Sequence, residues 1–260
     1  MSILESFSLN GKVALVTGGA GLFGRQIVAA LAEAGARTFV ASRNLESIET
    51  VAAELRGQGG DVTALQYDQA EEASILELHR QLIDQAGTID VLVNNSVSRP
   101  MRDGFTDDAA RFEDSMHVNA TGLFVITRAF GDTMAERGSG SIINIGSIHG
   151  MIAPDPTIYE GTTMHAWYPD YFFHKGGLIN FTRFLASYYG RYGVRCNCLS
   201  PGGFFNSQPE PFVENYNRKT FLGRLANDHD LQGAIVFLAG DASTYITGTN
   251  LPVDGGYTSK

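Results

Sequence analysis

Short apolar, β-branched runs alternate along this chain with stretches whose apolar residues return every three or four positions. The runs lie at 13–17, 38–41, 62–67, 89–93, 141–145, 194–199 and 250–253. Helical spacing follows the first at Phe23, Ile27 and Leu31, and the third at Ile75, Leu78 and Leu82. Short uninterrupted apolar runs predict buried strands, and the three-to-four spacing predicts amphipathic helices. Their alternation predicts βαβ units with right-handed crossovers, and hence a mostly parallel seven-stranded sheet with helices on both faces. No repeat, low-complexity tract or linker interrupts the pattern, so residues 1–260 are expected to form one domain.

Two stretches break the rhythm. Residues 151–170 carry three prolines and several aromatics without a clear period, and residues 201–224 contain Pro201, Gly202, Gly203, Pro209 and Pro211. Both follow expected strands, and ligands of open α/β sheets bind beyond the carboxyl ends of the strands. Long irregular loops in that position are expected to wall and cover a substrate pocket.

Composition narrows the partners. Hydrophobic residues make up 43% of the chain and charged ones 18%, a globular balance. The net charge of −9 argues against nucleic acid, whose phosphates require clustered Lys and Arg. No apolar run reaches the roughly 18 residues of a membrane span. Residues 1–10 lack the basic segment and apolar stretch of a signal peptide, so a cytoplasmic location is expected. Cys196 and Cys198 alternate on one strand, so they share a face and are expected to be buried structural thiols. With no further cysteine, and with His149, His165 and His174 at no metal-binding spacing, a metal is not expected.

The first strand runs into Thr17-Gly18-Gly19-Ala20-Gly21-Leu22-Phe23-Gly24 and then a helix. Gly19, Gly21 and Gly24 satisfy G-x-G-x-x-G in the strand–turn–helix setting that lets a backbone approach a pyrophosphate at a helix N-terminus. A packing role for the glycines is the competing reading. With the alternating pattern, the motif predicts a Rossmann-type, doubly wound α/β fold. After the second strand the sequence reads Ala41-Ser42-Arg43-Asn44, with no acid for a ribose 2′-hydroxyl. An Arg here accommodates a 2′-phosphate, which favours NADP over NAD; the alternative is a solvated charge at a helix start.

Beyond this turn, the chain carries Asp68, Asn94-Asn95-Ser96, Asn119, Ser147, Tyr171-x-x-x-Lys175, Pro201-Gly202 and Val253-Asp254-Gly255-Gly256, each in order after its strand or in its helix. In this order and spacing the set resembles the short-chain dehydrogenase/reductase family over nearly the whole chain. The resemblance implies an NAD(P)(H)-dependent oxidoreductase that interconverts a carbonyl and a secondary alcohol. It implies Asn119, Ser147, Tyr171 and Lys175 as the catalytic set. It also implies cofactor contacts from Gly18, Gly21, Leu22, Phe23, Gly24, Ser42, Arg43, Asp68, Asn95, Tyr171, Lys175, Pro201 and Gly202. Substrate contacts are expected from Ser147, His149, Tyr171 and Gly203.

The chemistry independently asks for such residues. Hydride transfer at a carbinol leaves a proton to be moved, and a free Tyr, with a pKa near 10, is a poor base at neutral pH. Tyr171 and Lys175 are four apart on one helix face, so the ammonium can favour the phenolate. Ser147 is expected to orient the reacting oxygen, and the resemblance implies that Asn119 holds a water in a relay to Lys175. Tyr159 and Tyr168 lack a lysine four residues on and are expected in pocket wall or core.

The pattern also departs from the compact members of the family. Leu22 stands where they usually carry glycine, and 24 residues separate Ser147 from Tyr171. Both features look like the longer branch and like members associated with bacterial surface-sugar pathways. Yet no room remains for that branch's separate substrate domain, and Asn119 and the 253–256 ending are similar to the compact type. Val97 replaces the usual glycine after Asn94-Asn95. The inserted residues carry His149, Tyr159, Glu160, His165, Trp167 and Tyr168, a mixture suited to a sugar, sugar derivative or polyol. Epimerisation or dehydration with retained cofactor is the alternative, and a non-catalytic nucleotide-binding protein is a third reading that the complete catalytic set disfavours. The helix expected over 171–189 carries Phe172, Leu178, Ile179, Phe181, Phe184 and Leu185 around more than one face, which with the resemblance implies a homotetramer or homodimer.

Overall fold

The computed structural model describes residues 2–259, so Met1 and Lys260, the two ends of the expected domain, lie outside it. Seven strands form one all-parallel sheet in the order β3-β2-β1-β4-β5-β6-β7. They are β1 (Val13–Thr17), β2 (Arg37–Ser42), β3 (Val62–Gln66), β4 (Val91–Asn94), β5 (Gly140–Ile145), β6 (Val194–Pro201) and β7 (Asn250–Val253). Every expected strand is present, β1 and β7 with the expected ends and the others with ends moved by one or two residues.

The strands are apolar throughout because helices cover both faces. Ala14 and Val16 of β1 point to one face with Val40, Val93 and Ile143, against α1 (Leu22–Glu33), α2 (Leu45–Gly57) and α8 (Gln232–Ala239). Val13 and Leu15 point the other way with Phe39, Leu92 and Ile142, against α3 (Glu72–Ala86), α5 (Leu123–Arg137) and α6 (Pro169–Tyr189). Phe130 of α5 is fully buried here, its ring edge-on to His79 at 5.0 Å. Phe130→Ala is expected to cost roughly 3–5 kcal/mol in chemical denaturation, the range for a large side chain removed from a packed core; a loss below about 1 kcal/mol would mean this face collapses onto the gap.

Cys196 and Cys198 are free and fully buried on β6, as expected. Burial pushes the Cys196 thiol up to about 12, so it is inert toward chemistry at neutral pH.

The two irregular stretches hold more structure than their composition suggests. Residues 201–224 contain α7 (Glu210–Lys219), which the prolines obscured. Pro209 immediately precedes this helix and Pro211 sits in its first turn, where the missing N–H would have had no intrahelical partner anyway. A single-turn helix at Pro156–Tyr159 breaks up 151–170, and α6 starts at Pro169, two residues before Tyr171. The remaining helix, α4 (Ala109–Met116), passes into a π turn at His117–Gly122 before α5. Its place ahead of α5 puts Asn119 in an under-wound segment, of the kind that concentrates at functional sites.

Strand order reverses between β1 and β4, so the loops leaving their carboxyl ends diverge and open a crevice there.

Candidate active site

The crevice becomes a cleft of about 890 Å³ along the carboxyl ends of the strands. Its first wall is the turn after β1. Gly18 adopts φ +66°, which side-chain-bearing residues rarely tolerate, and a Cβ on it would press on the Ser96 backbone at 3.0 Å. A Cβ on Gly24 would lie 2.3 Å from the Gly18 carbonyl oxygen, so only glycine lets α1 close on the turn. Gly21 caps α1 without a side-chain partner, leaving the first amides of the helix directed at the cleft with the positive end of its dipole. A glycine-rich turn in which Gly18 and Gly24 leave no room for a Cβ, and an uncapped helix start, fit a dinucleotide pyrophosphate.

Asn95 stabilises this cradle from below. Its Nδ2 donates to the carbonyls of Thr17 at 3.0 Å and Gly18 at 2.9 Å, while the Thr17 hydroxyl accepts from the amides of Asn95 and Ser96, each at 3.0 Å. Leu22 and Phe23 lie along the cleft, the Phe23 ring edge-on to Phe204 at 5.3 Å.

At the far end, β2 delivers Ser42 and Arg43. The Ser42 hydroxyl donates to the Asn44 carbonyl at 3.1 Å, and Asn44 caps α2 by accepting from the Ser47 amide at 3.0 Å. Arg43 is exposed on the cleft lip, and no ion pair among the described residues uses it. Asp68, after β3, accepts from the Ala70 amide at 2.9 Å and lines the same end.

The opposite end gathers the titratable groups. The buried Lys175 donates its Nζ to the Ile145 carbonyl at 2.6 Å, and that Nζ lies 5.8 Å from the centre of the Tyr171 ring. Ser147, just past β5, accepts from the His149 amide at 3.1 Å and lines the cleft with Tyr171. Burial opposes ionisation of Tyr171. The positive charges of Lys175 and Arg99, with hydrogen bonds from Ser147 and Arg99, outweigh it and hold the phenol below its usual value. Burial also lowers Lys175, with Tyr171 pulling the other way. His149 stacks on Phe172 at 4.5 Å, and burial with the nearby Arg99 brings it down to about 4, so it is neutral at neutral pH.

Every residue expected to be catalytic or to touch cofactor or substrate, apart from Asn119, lines this one cleft, whereas Glu160 and Trp167 of the inserted stretch lie outside it and are exposed. Asn119 is buried behind it and clamps the backbone of Ser98, whose amide donates to Oδ1 at 2.8 Å and whose carbonyl accepts from Nδ2 at 2.7 Å. The same Nδ2 donates to the Ser115 hydroxyl at 3.0 Å, and Ser115 donates to the buried Asp170 carboxylate at 2.6 Å. Gly203 lines the cleft without a free polar group, because its amide donates to the Tyr216 hydroxyl and its carbonyl accepts from Ala226. Tyr159 and Tyr168 are cleft wall, as expected. Arg99 is the residue that sequence reasoning missed: its guanidinium lies 4.2 Å above the Tyr171 ring centre. No motif marks it; the only signal is its place five residues after Asn94, beyond a strand end.

The sequence model of a family described as enoyl-(acyl carrier protein) reductase matches residues 20–258. The chain belongs to the short-chain dehydrogenase/reductase family. This short-chain dehydrogenase/reductase is therefore an NAD(P)-binding oxidoreductase acting on alcohol groups. It is 32% identical to galactitol 2-dehydrogenase (L-tagatose-forming) of Cereibacter sphaeroides, over 97% of each chain. It is 31% identical to 7alpha-hydroxysteroid dehydrogenase of Bacteroides fragilis, over 95% of this chain and 94% of that one. Among solved structures it is similar to a gluconate 5-dehydrogenase from Burkholderia cenocepacia in complex with NADP and tartrate, with TM-score 0.89, 31% identity and full coverage of both chains. The similarity to surface-sugar enzymes expected from the long Ser147–Tyr171 gap is minor. No described helix is long and apolar enough to cross a membrane.

Proposed function

We propose that this enzyme reversibly oxidises a secondary alcohol on a small polyhydroxylated substrate, a sugar, sugar derivative or polyol. The observation that carries the reading is Tyr171, held below its usual pKa beside Lys175 and Arg99, in a cleft that it shares with Ser147 and the glycine turn. The relatives named for galactitol and gluconate support the substrate class.

When bound, the nicotinamide supplies the hydride acceptor or donor. In the oxidising direction Tyr171, as phenolate, takes the carbinol proton while Ser147 fixes the oxygen being oxidised. Lys175 lowers the Tyr171 pKa and holds the nicotinamide ribose. Asn119 is assigned a relay role through its main-chain carbonyl in the π turn, because its side-chain amide is already engaged by Ser98 and Ser115. His149 contacts substrate as a neutral hydrogen-bonding ring, Gly203 shapes the wall by having no side chain, and 151–170 and 201–224 act as pocket loops of a single domain. A purified sample followed at the reduced-nicotinamide absorbance, with a panel of polyols, sugars and their oxidised forms, tests the reading. Absence of turnover with every pair, together with epimer formation from any of them, would sink it.

The cofactor preference is assigned to NADP, through the unpaired Arg43 at the ribose end. Arg43→Ala is expected to weaken NADP binding roughly ten- to a hundredfold, the scale of a charge-assisted hydrogen bond, with little effect on NAD. Equal weakening of both in fluorescence titrations would return Arg43 to the role of an ordinary helix-start charge.

The enzyme is further proposed to assemble as a homodimer or homotetramer. Phe124, Phe184 and Tyr188 leave about half of their surface exposed, and the Phe181, Phe184 and Tyr188 rings stack along α6. An apolar aromatic band of this kind is costly to leave in water.

A further inference from the structure

Arg99 stands apart from the rest of the catalytic end. It is a cation whose guanidinium carbon lies 4.2 Å from the Tyr171 ring centre, yet no carboxylate among the described residues pairs with it. Arg102 lines the same end, and the nearest cleft-lining acid, Asp170, is already engaged by Ser115. The chain as a whole carries −9, so an anionic substrate would be repelled from most of its surface. A local excess of positive charge at the reacting end reverses that repulsion where it matters.

The position of Arg99 is also built rather than incidental. Ser98, its neighbour, is gripped at both its amide and its carbonyl by Asn119. Asn119 leads through Ser115 to Asp170, the residue before Tyr171. The chain of hydrogen bonds thus ties the backbone beside Arg99 to the start of α6, next to the phenol that the guanidinium overlies. Arg99 is exposed, and a guanidinium's planar fork matches a carboxylate in two parallel hydrogen bonds.

Resting on the oxidoreductase reading above, we infer that Arg99 is a specificity-determining residue that binds a substrate carboxylate, making the substrate a hydroxy acid of the sugar-acid type with its acid group close to the reacting carbinol. In the oxidation, the carbinol C–H leaves as hydride to the oxidised nicotinamide and the O–H proton passes to Tyr171, so the alcohol is oxidised and the cofactor reduced. The carboxylate takes no part in these transfers; it fixes which carbon faces the hydride acceptor.

The test uses matched pairs that differ only in carrying carboxylate or hydroxymethyl, at one end for gluconate and glucitol and for 3-hydroxybutyrate and butane-1,3-diol, and at both ends for tartrate and threitol. The wild type is expected to favour the acid of at least one pair. Arg99→Gln is expected to lower the acid-to-neutral ratio of kcat/KM for that pair roughly ten- to a hundredfold, mainly through KM, and Arg99→Lys to restore part of it. If Arg99 served only to tune Tyr171, both members would fall by the same factor and the ratio would hold, which overturns the inference. A wild type that prefers the neutral member of every pair overturns it too. Tartrate binding to the protein loaded with reduced cofactor, a combination that cannot turn over, gives a reading free of catalysis. The wild type is expected to bind tartrate more tightly than threitol, and Arg99→Gln to lose the difference while still binding cofactor. If neither alcohol nor acid of any pair is oxidised, the oxidoreductase reading fails, and the tartrate comparison still decides the role of Arg99.

Discussion

Tyr171→Phe is expected to lower kcat for alcohol oxidation by roughly 10²–10⁴-fold, the range for removing a positioned acid/base. The substitution deletes one oxygen and leaves the ring beneath Arg99, so the packing of that guanidinium is retained. Cofactor affinity should change little, because Lys175 keeps its hydrogen bond to the Ile145 carbonyl. A stopped-flow measurement of the single-turnover hydride step separates chemistry from product release. A fall of less than about tenfold in that step would assign proton transfer to another group or to solvent.

Lys175→Met is expected to act on both rate and pH dependence. Burial alone would raise the Tyr171 pKa, and Lys175 leads the influences that bring it down. Because the phenolate is the active form in oxidation, the rate rises with pH through the lowered pKa and then levels. Without the ammonium the midpoint moves to higher pH, and at neutral pH the rate falls by about 10² or more as the ionised fraction shrinks. Met nearly conserves the volume, although the buried Ile145 carbonyl loses its donor at a cost of about 1–3 kcal/mol. The pH–rate profile distinguishes this from mere destabilisation, since a folding defect lowers the plateau without moving the midpoint. Lys175→Arg restores charge but not the compact ammonium geometry, and should recover only part of the rate.

Much of this arrangement was legible in the sequence because strand ends and motifs coincide. Thr17, Asp68, Asn94 and Ser147 follow apolar runs, and the strands of an all-parallel sheet must point their carboxyl ends one way. The cleft gathers residues 18, 20–24, 42–43, 147–149 and 201–203 for that reason alone. What escaped was set by contacts between segments. Arg99 has no periodicity or motif to flag it, and its place over Tyr171 depends on Asn119 holding Ser98. Gly203 has a site glycine's address but both backbone groups are engaged elsewhere. The helix Glu210–Lys219 was hidden because prolines that usually interrupt a helix lie here at its start.

The roof over the substrate end has its own small apolar cluster, in which Ile148, Ile158, Phe212, Tyr216, Leu225 and Tyr257 pack together apart from the two cores on the sheet faces. Stability effects of residues that share no contacts are close to additive, so the cost of a substitution in this cluster is expected to be independent of substitutions in the sheet cores. That separation makes the roof an exchangeable module: residues of this cluster can be replaced as a set while the glycine turn after β1 and the Tyr171–Lys175 face of α6 stay where the two sheet cores put them.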